Sequence, residues 1–191
     1  MNVGIIVGST REGRKTIRVA RWIENRLRRR EGVEVSFVDL EELDLPVMRE
    51  RVRFSESPPE SALKLSETIQ EADSLLIVTP EYNHGYPGVL KNAIDYLLPE
   101  YKRKPVGIVT VSAGPFGGLR CLEALRQTMF GIGAIPVSAE LPITKVQDSF
   151  DEHGEPTSDA WDRRLDRFLS EFFWLSEAIV AKKHEEEEKS S

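Results

Sequence analysis

The sequence predicts a doubly wound α/β fold, a five-stranded parallel sheet with helices on both faces, and three observations carry that prediction. Apolar runs of strand length alternate with stretches whose apolar residues recur every three or four positions. The run Leu75, Leu76, Ile77, Val78 is continuous rather than alternating, which a strand buried on both faces of a parallel sheet requires. Polar, Gly-rich turns leave the first, third and fourth strands and open directly into helices. At 191 residues and 40% hydrophobic content the chain suffices for one ordinary domain, read as residues 1–183. No internal repeat is visible beyond the alternation itself.

Residues 2–7 read as the first buried strand, and 8–16 (GSTREGRKT) as the turn into a helix carried by Val19, Ala20, Ile23 and Leu27. Residues 33–39 alternate and form a second strand, nearer the sheet edge. Residues 41–59 are polar and Pro-containing, a long surface loop of the kind that serves function or moves, placed to help wall a site. Ala62, Leu65, Ile69 and Ala72 recur at helical spacing before the third strand, which Pro80 ends. Pro87 suits the first turn of the next helix, because it lacks a donor that the turn would leave unused. Leu90, Ala93, Ile94 and Leu97 line one face of that helix.

Residues 105–112 make the fourth strand and 113–118 (AGPFGG) another Gly-rich turn. Leu122, Leu125, Met129 and Ile132 then stripe a helix, 134–138 make a short fifth strand, and 141–154 read as irregular. Thr157 or Ser158 can cap a last helix whose Trp161, Leu165, Phe168, Phe172, Leu175 and Ile179 pack across the sheet. The acidic run 184–191 (HEEEEKSS) reads as a disordered tail.

Composition removes several function classes. A formal charge of −6 and a pI near 5.3 exclude nucleic acid as the main partner, since phosphate backbones demand a basic surface. The basic run 25–30 (NRLRRR) falls at a helix end closed by Gly32, where cations complement the dipole, and reads as a solvated face. One cysteine, Cys121, excludes an internal disulfide or a cysteine-only metal site and reads as a small core residue, which fits the cytosol. No stretch approaches the roughly 20 apolar residues of a membrane span, and the chain opens on a strand rather than a signal peptide.

In a sheet ordered 2-1-3-4-5, the strands preceding the three unusual turns are neighbours, and the switch point lies between the first and third. One ligand bridges them, with a phosphate at 9–16 and a planar ring resting on 80–83 and 112–118. A helix N-terminus with free N–H groups, hydroxyls and cations suits the phosphate, and Ser9, Thr10, Arg11, Arg14, Lys15 and Thr16 supply them. The turn is not a P-loop, because Arg14 separates Gly13 from Lys15 and no strand ends in the Asp of a Walker B site. Neither G-x-G-x-x-G in the first turn nor a G-x-S-x-G elbow is present.

Through GSTREGRKT (8–16), TPEYNHGYPGVLKNAIDYL (79–97) and SAGPFGG (112–118), the chain resembles the NADPH-dependent FMN reductase family over most of residues 2–140. That family comprises flavodoxin-like quinone, azo-dye and chromate reductases. The resemblance implies that Ser9, Arg11 and Thr16 hold the FMN phosphate with Lys15 as helper. Pro80, Glu81, Tyr82 and Asn83 would bind the isoalloxazine and ribityl region. Ser112, Gly114, Gly117 and Gly118 would meet the pyrimidine edge. It further implies hydride transfer from NADPH or NADH through FMN to a quinone-like, azo or metal-oxyanion acceptor, with no protein nucleophile or metal. The alternative is a flavodoxin-like electron carrier with a protein partner. The resemblance also implies a homodimer or homotetramer, as family members usually form, joined through the helices that here begin near Pro87 and Gly118. The chain departs from the pattern at His84, Gly85 and Tyr86, where relatives more often carry small residues. His84 reads as an exposed or partner-facing residue rather than a proton donor. Tyr82, Tyr86 and Phe116 are candidate walls for nicotinamide and acceptor.

Overall fold

In the computed structural model, which describes residues 1–189, β1 (Asn2–Val7) lies inside the sheet between β2 (Glu34–Asp39) and β3 (Ser74–Pro80). β3 pairs with β4 (Pro105–Val111), which pairs with β5 (Ile135–Pro136); every pairing is parallel and the order is β2-β1-β3-β4-β5. This is the flavodoxin-like order. The chain leaves β1 toward β2 and returns on the other side at β3, so a crevice opens above the β1/β3 boundary at the strands' carboxyl ends.

The fifth position differs from the single strand expected over 134–138. β5 is two residues long, and a further strand, β6 (Leu141–Ile143), pairs with the upper part of β4, Leu141 opposite Val109 and Ile143 opposite Val111. Pro136 cannot donate to a ladder, and the chain swings out before rejoining it. Arg126 holds the detour, donating to Ser138 O at 2.9 Å and to Glu140 at 2.7 Å.

Side-chain alternation divides the core between the two faces. On one, Ile5, Val7, Leu76 and Val109 meet Val19, Ile23 and Leu27 of α1 (Thr16–Arg28) and Leu165, Phe168 and Phe172 of the last helix. On the other, Ile6, Leu75, Ile77 and Ile108 meet α3 (Glu60–Glu71), α4 (Gly88–Asp95) and α5 (Leu119–Gly131). Gly107 admits the last helix to close approach, because a Cβ there would stand 2.5 Å from Leu76 Cδ2 and 2.9 Å from Phe168 Cζ.

Two short helices are not legible in the pattern. α2 (Leu40–Leu43) starts on Asp39, whose carboxylate accepts from Glu41 N at 3.1 Å. α6 (Val146–Ser149) follows β6 inside the stretch read as irregular. The loop after α2 lies along α4: Asn92 binds Met48 N and Pro46 O, each at 2.8 Å, and Tyr96 OH binds Pro46 O at 3.1 Å. Pro87 stands at the N-cap of α4, one place before the first turn.

α7 (Asp159–Glu188) is capped by Ser158, which accepts from Ala160 N at 3.3 Å. The basic run does more than face solvent. Arg26 reaches Asp162 at 3.3 Å and Asp166 at 2.6 Å, and Arg30 lies 3.9 Å over the Phe173 ring, which docks α1 on α7. The helix also continues through Glu188, where the charge run suggests disorder from His184. Two exposed pairs accompany it, Lys182 with Glu185 one turn apart and Arg103, just before β4, with Glu186, each at 3.0 Å. Ser190 and Ser191 of that run lie outside the described residues. Among the described residues no helix is long and apolar enough to cross a membrane.

Candidate active site

The first wall of the crevice is the turn after β1. Gly8 N extends the ladder by one bond to Val78 O at 2.9 Å. Ser9 is then fully buried, its Oγ 3.1 Å from the Tyr82 hydroxyl, so the first and second walls are joined at their base. Arg14 turns back over this segment. Its guanidinium donates to Ser9 O at 2.6 Å, to both oxygens of Asp39 (one at 2.6 Å) and to Glu41 at 2.6 Å. The Asp39 hydrogen bond raises the Arg14 pKa further, against the cost of burial. Arg14 is therefore a strut between β1, β2 and α2, not one of the open cations of the turn.

What the turn does offer lies at the start of α1. No side chain caps this helix and no acid stands in its first turn, so its N–H groups and positive dipole end face the crevice uncompensated. Arg11 and Lys15 flank it, and neither makes an ion pair among the described residues. Arg11 lies 6.0 Å from the Tyr82 ring centroid.

The second wall follows β3. Tyr82 and Gly85 exchange backbone bonds of 2.9 and 3.0 Å around Asn83 (φ 50°) and His84 (φ 67°). Positive φ at both central residues is the type I′ pattern, for which Asn is well suited. Pro80, Glu81 and Tyr82 line the cavity, while Asn83 sits at the hairpin tip, off its lining, and His84 is exposed. The Glu81 carboxylate accepts from Cys121 N at 3.2 Å, anchoring the wall to the first turn of α5. Burial, with the Glu81 charge added, pushes the Cys121 thiol up to about 12, so it remains protonated. Tyr86 hydrogen-bonds Thr128 of α5 at 2.8 Å, and Phe116 is 70% exposed. Of the three aromatic residues, Tyr82 is the one on the cavity.

The third wall follows β4. Ser112 Oγ accepts from Gly114 N at 2.9 Å, a local turn that engages that amide. Ala113 lies between them on the cavity, and its N–H has no partner among the described residues. The segment from β6 to α6 braces this turn: Ser112 N donates to Ile143 O at 2.9 Å, Val146 N to Ser112 O and Lys145 N to Gly114 O, both at 3.1 Å. Gly117 and Gly118 stand off the cavity. Their φ values are 64° and 82°, and a Cβ on Gly117 would lie 2.6 Å from Pro142 Cβ, so backbone shape and close packing require them.

The walls enclose a cavity of about 470 Å³, within the range of small-molecule and cofactor sites. Arg11, Lys15, Thr16, Pro80, Glu81, Tyr82, Ser112 and Gly114 line it, with Ser9 beneath. Val146 of α6 also lines it and was missed. Its signal was faint, because β6 and α6 are three and four residues long, too short for a period to show. Among the described residues no group of His, Cys, Asp or Glu is placed to hold a metal.

A family model described as NADPH-dependent FMN reductase matches residues 1–148. The chain belongs to this family. It is 37% identical over 133 residues to an NAD(P)H-dependent FMN reductase of Pseudomonas aeruginosa, covering 67% of this chain and 70% of that protein. It is 35% identical over 133 residues to a quinone reductase of Pseudomonas putida, covering 67% and 69%. The solved structure of a flavoenzyme NAD(P)H:(acceptor) oxidoreductase from Paracoccus denitrificans superposes with a TM-score of 0.74 at 25% identity, covering 92% of this chain and 97% of that one.

Proposed function

We propose that this member of the family is an FMN-dependent NAD(P)H oxidoreductase passing electrons to quinone-like, azo or metal-oxyanion acceptors. One observation carries the reading. An uncapped helix N-terminus flanked by two unpaired cations faces, across one cavity, a wall of backbone edges from β3 and β4. The cation-rich end suits a phosphate monoester and the flat end suits a ring. FMN, when bound, supplies the hydride chemistry.

The chain's residues bind and orient. The N–H groups of α1 with the Thr16 hydroxyl would hold the phosphate, the Ser9 hydroxyl joining them if it exchanges its Tyr82 partner for the ligand, and Arg11 with Lys15 would balance its charge. Pro80 to Tyr82 and Ser112 to Gly114 would flank the ring. The free N–H of Ala113, fixed before any ligand arrives, favours negative charge developing against that wall, a preorganised electrostatic effect. Tyr82 shields the crevice and ties its ring-facing wall to Ser9. No group on the cavity is required as nucleophile.

The same reading treats residues 1–183 as one FMN-binding domain in a cytoplasmic protein that pairs through α4 and α5 into a homodimer or homotetramer. Support for the pairing comes from large apolar side chains in water, Leu119 and Phe130 on α5 and Val47 beside α4. The test is steady-state oxidation of NADPH or NADH with a quinone and with an azo dye, in the presence and absence of FMN. FMN-dependent turnover is expected. Retained FMN with no turnover from either nicotinamide would mark a carrier fed by another protein and overturn the enzyme reading.

A further inference from the structure

The family match ends at residue 148, and Arg164, in the second turn of α7, lies beyond it. Its Nη2 donates to Pro142 O at 2.9 Å, and its guanidinium lies 4.4 Å from the Trp161 ring centroid. Glu140 and Glu171 line the same recess, but Glu140 is taken by Arg126, and no carboxylate pairs with Arg164 among the described residues. Burial pushes its pKa down. A cation partly withdrawn from water for one neutral carbonyl draws attention to the strand that carries the carbonyl.

β6 lies at the edge of the sheet. Leu141 and Ile143 turn their backbone groups toward β4, as the bond from Ser112 N to Ile143 O shows. Pro142 between them faces the open side, with a carbonyl and no N–H. Arg164 takes that carbonyl and so ties the open edge of β6 to α7. The ring of Pro142 meets the third wall, because a Cβ on Gly117 would stand 2.6 Å from Pro142 Cβ. Just downstream, Lys145 N and Val146 N donate to Gly114 O and Ser112 O, and Gln147 Nε2 donates to Ala113 O at 3.3 Å. These bonds bracket Ala113 on both sides and hold its carbonyl, while its N–H stays free on the cavity.

We propose that Arg164 is a positioning residue: through Pro142 it fixes the segment from β6 to α6, and so the direction in which the Ala113 N–H meets the ring of a bound flavin. The ring half of this inference rests on the FMN reading above, and the wall half on the chain's own hydrogen bonds. A donor preset at that wall favours the ring more once reduction has added negative charge than before, and a loosened donor loses part of that difference. Arg164 itself does not line the cavity, so its influence passes through the wall.

Arg164→Met keeps the apolar stem and removes the donor, and Arg164→Lys keeps a cationic donor. In protein without FMN, Arg164→Met should speed amide hydrogen exchange at Ser112, Lys145 and Val146 by about tenfold. Gly8 N, bonded to Val78 O in the first wall, should exchange as in the wild type. In protein loaded with FMN, the same variant should lose about tenfold of its preference for reduced over oxidised flavin, a midpoint potential lower by about 30 mV. Arg164→Lys should recover most of both effects. Unchanged exchange at the three amides would show that Arg164 does not hold the wall, and faster exchange with an unmoved potential would reduce it to a structural residue; either result overturns the proposal. Wild-type protein that retains no flavin would overturn the FMN reading and with it the ring half of the proposal, while exchange would still decide the wall half.

Discussion

Arg11 and Arg14 sit in the same turn, and the structure gives them opposite work. Arg11 has no carboxylate partner among the described residues, so Arg11→Ala should weaken FMN binding by about tenfold to a hundredfold, the worth of a charge-assisted bond, with the urea midpoint of the apo protein unmoved. Arg14→Met would leave Asp39, whose side chain is 1% exposed, without its cation, and should cost about 3 kcal/mol of apo stability by urea denaturation. Arg14 also lines the cavity, so its loss should weaken FMN binding as well, through the displaced Ser9 carbonyl and the lost charge. Sequence alone could not separate the two arginines, since what distinguishes them is a carboxylate 25 residues away. Asn83 illustrates the same limit: the residue type marked a special position, but its left-handed φ serves the hairpin. Gly117 and Gly118 were legible as necessary, and the structure supplies a packing reason in Pro142 and the start of α5.

Elements with a full period were legible and elements without one were not. β1, β3, β4 and the helices α1, α3, α5 and α7 announce themselves by unbroken or periodic apolar runs. β6 and α6, which brace the third wall, are too short to do so, and the interrupted edge at Pro136 concealed their pairing. At the opposite end of the sheet, Lys104 donates to Gln70 O at 3.2 Å and to Ala72 O, closing the end of α3. Burial, then the nearby charge of Lys183, pushes its pKa down to about 8, with Asp73 opposing. In the unfolded chain a lysine titrates near about 10.4, so between these values the unfolded state binds more protons and stability rises with pH. Urea midpoints should therefore climb from pH 8 to 10, and Lys104→Met should flatten that climb. An identical slope in the variant would show that other groups set it.

At the scale of the molecule, the parallel sheet sends β1, β3 and β4 to one edge, and the reversal of winding at β1 opens the crevice there. That edge carries an uncapped dipole, the cations Arg11 and Lys15 with Glu12 beside them, a free amide and one cavity-facing aromatic residue, Tyr82, all suited to binding and orientation. The alternation of strands and helices and the three turns that matter were readable in advance, because they are local properties; the order of the strands came only with the likeness to flavodoxin-like sheets. The docking of α1 on α7 through Arg26 and Arg30 was not, because those partners lie far along the chain. The most direct test of the account is to load the protein with FMN, desalt it, and add NADPH or NADH without oxygen while following the visible flavin absorbance. The flavin should stay bound, bleach with at least one nicotinamide, and recover its colour when a quinone is added. Bound flavin that keeps its colour with both nicotinamides would contradict the account.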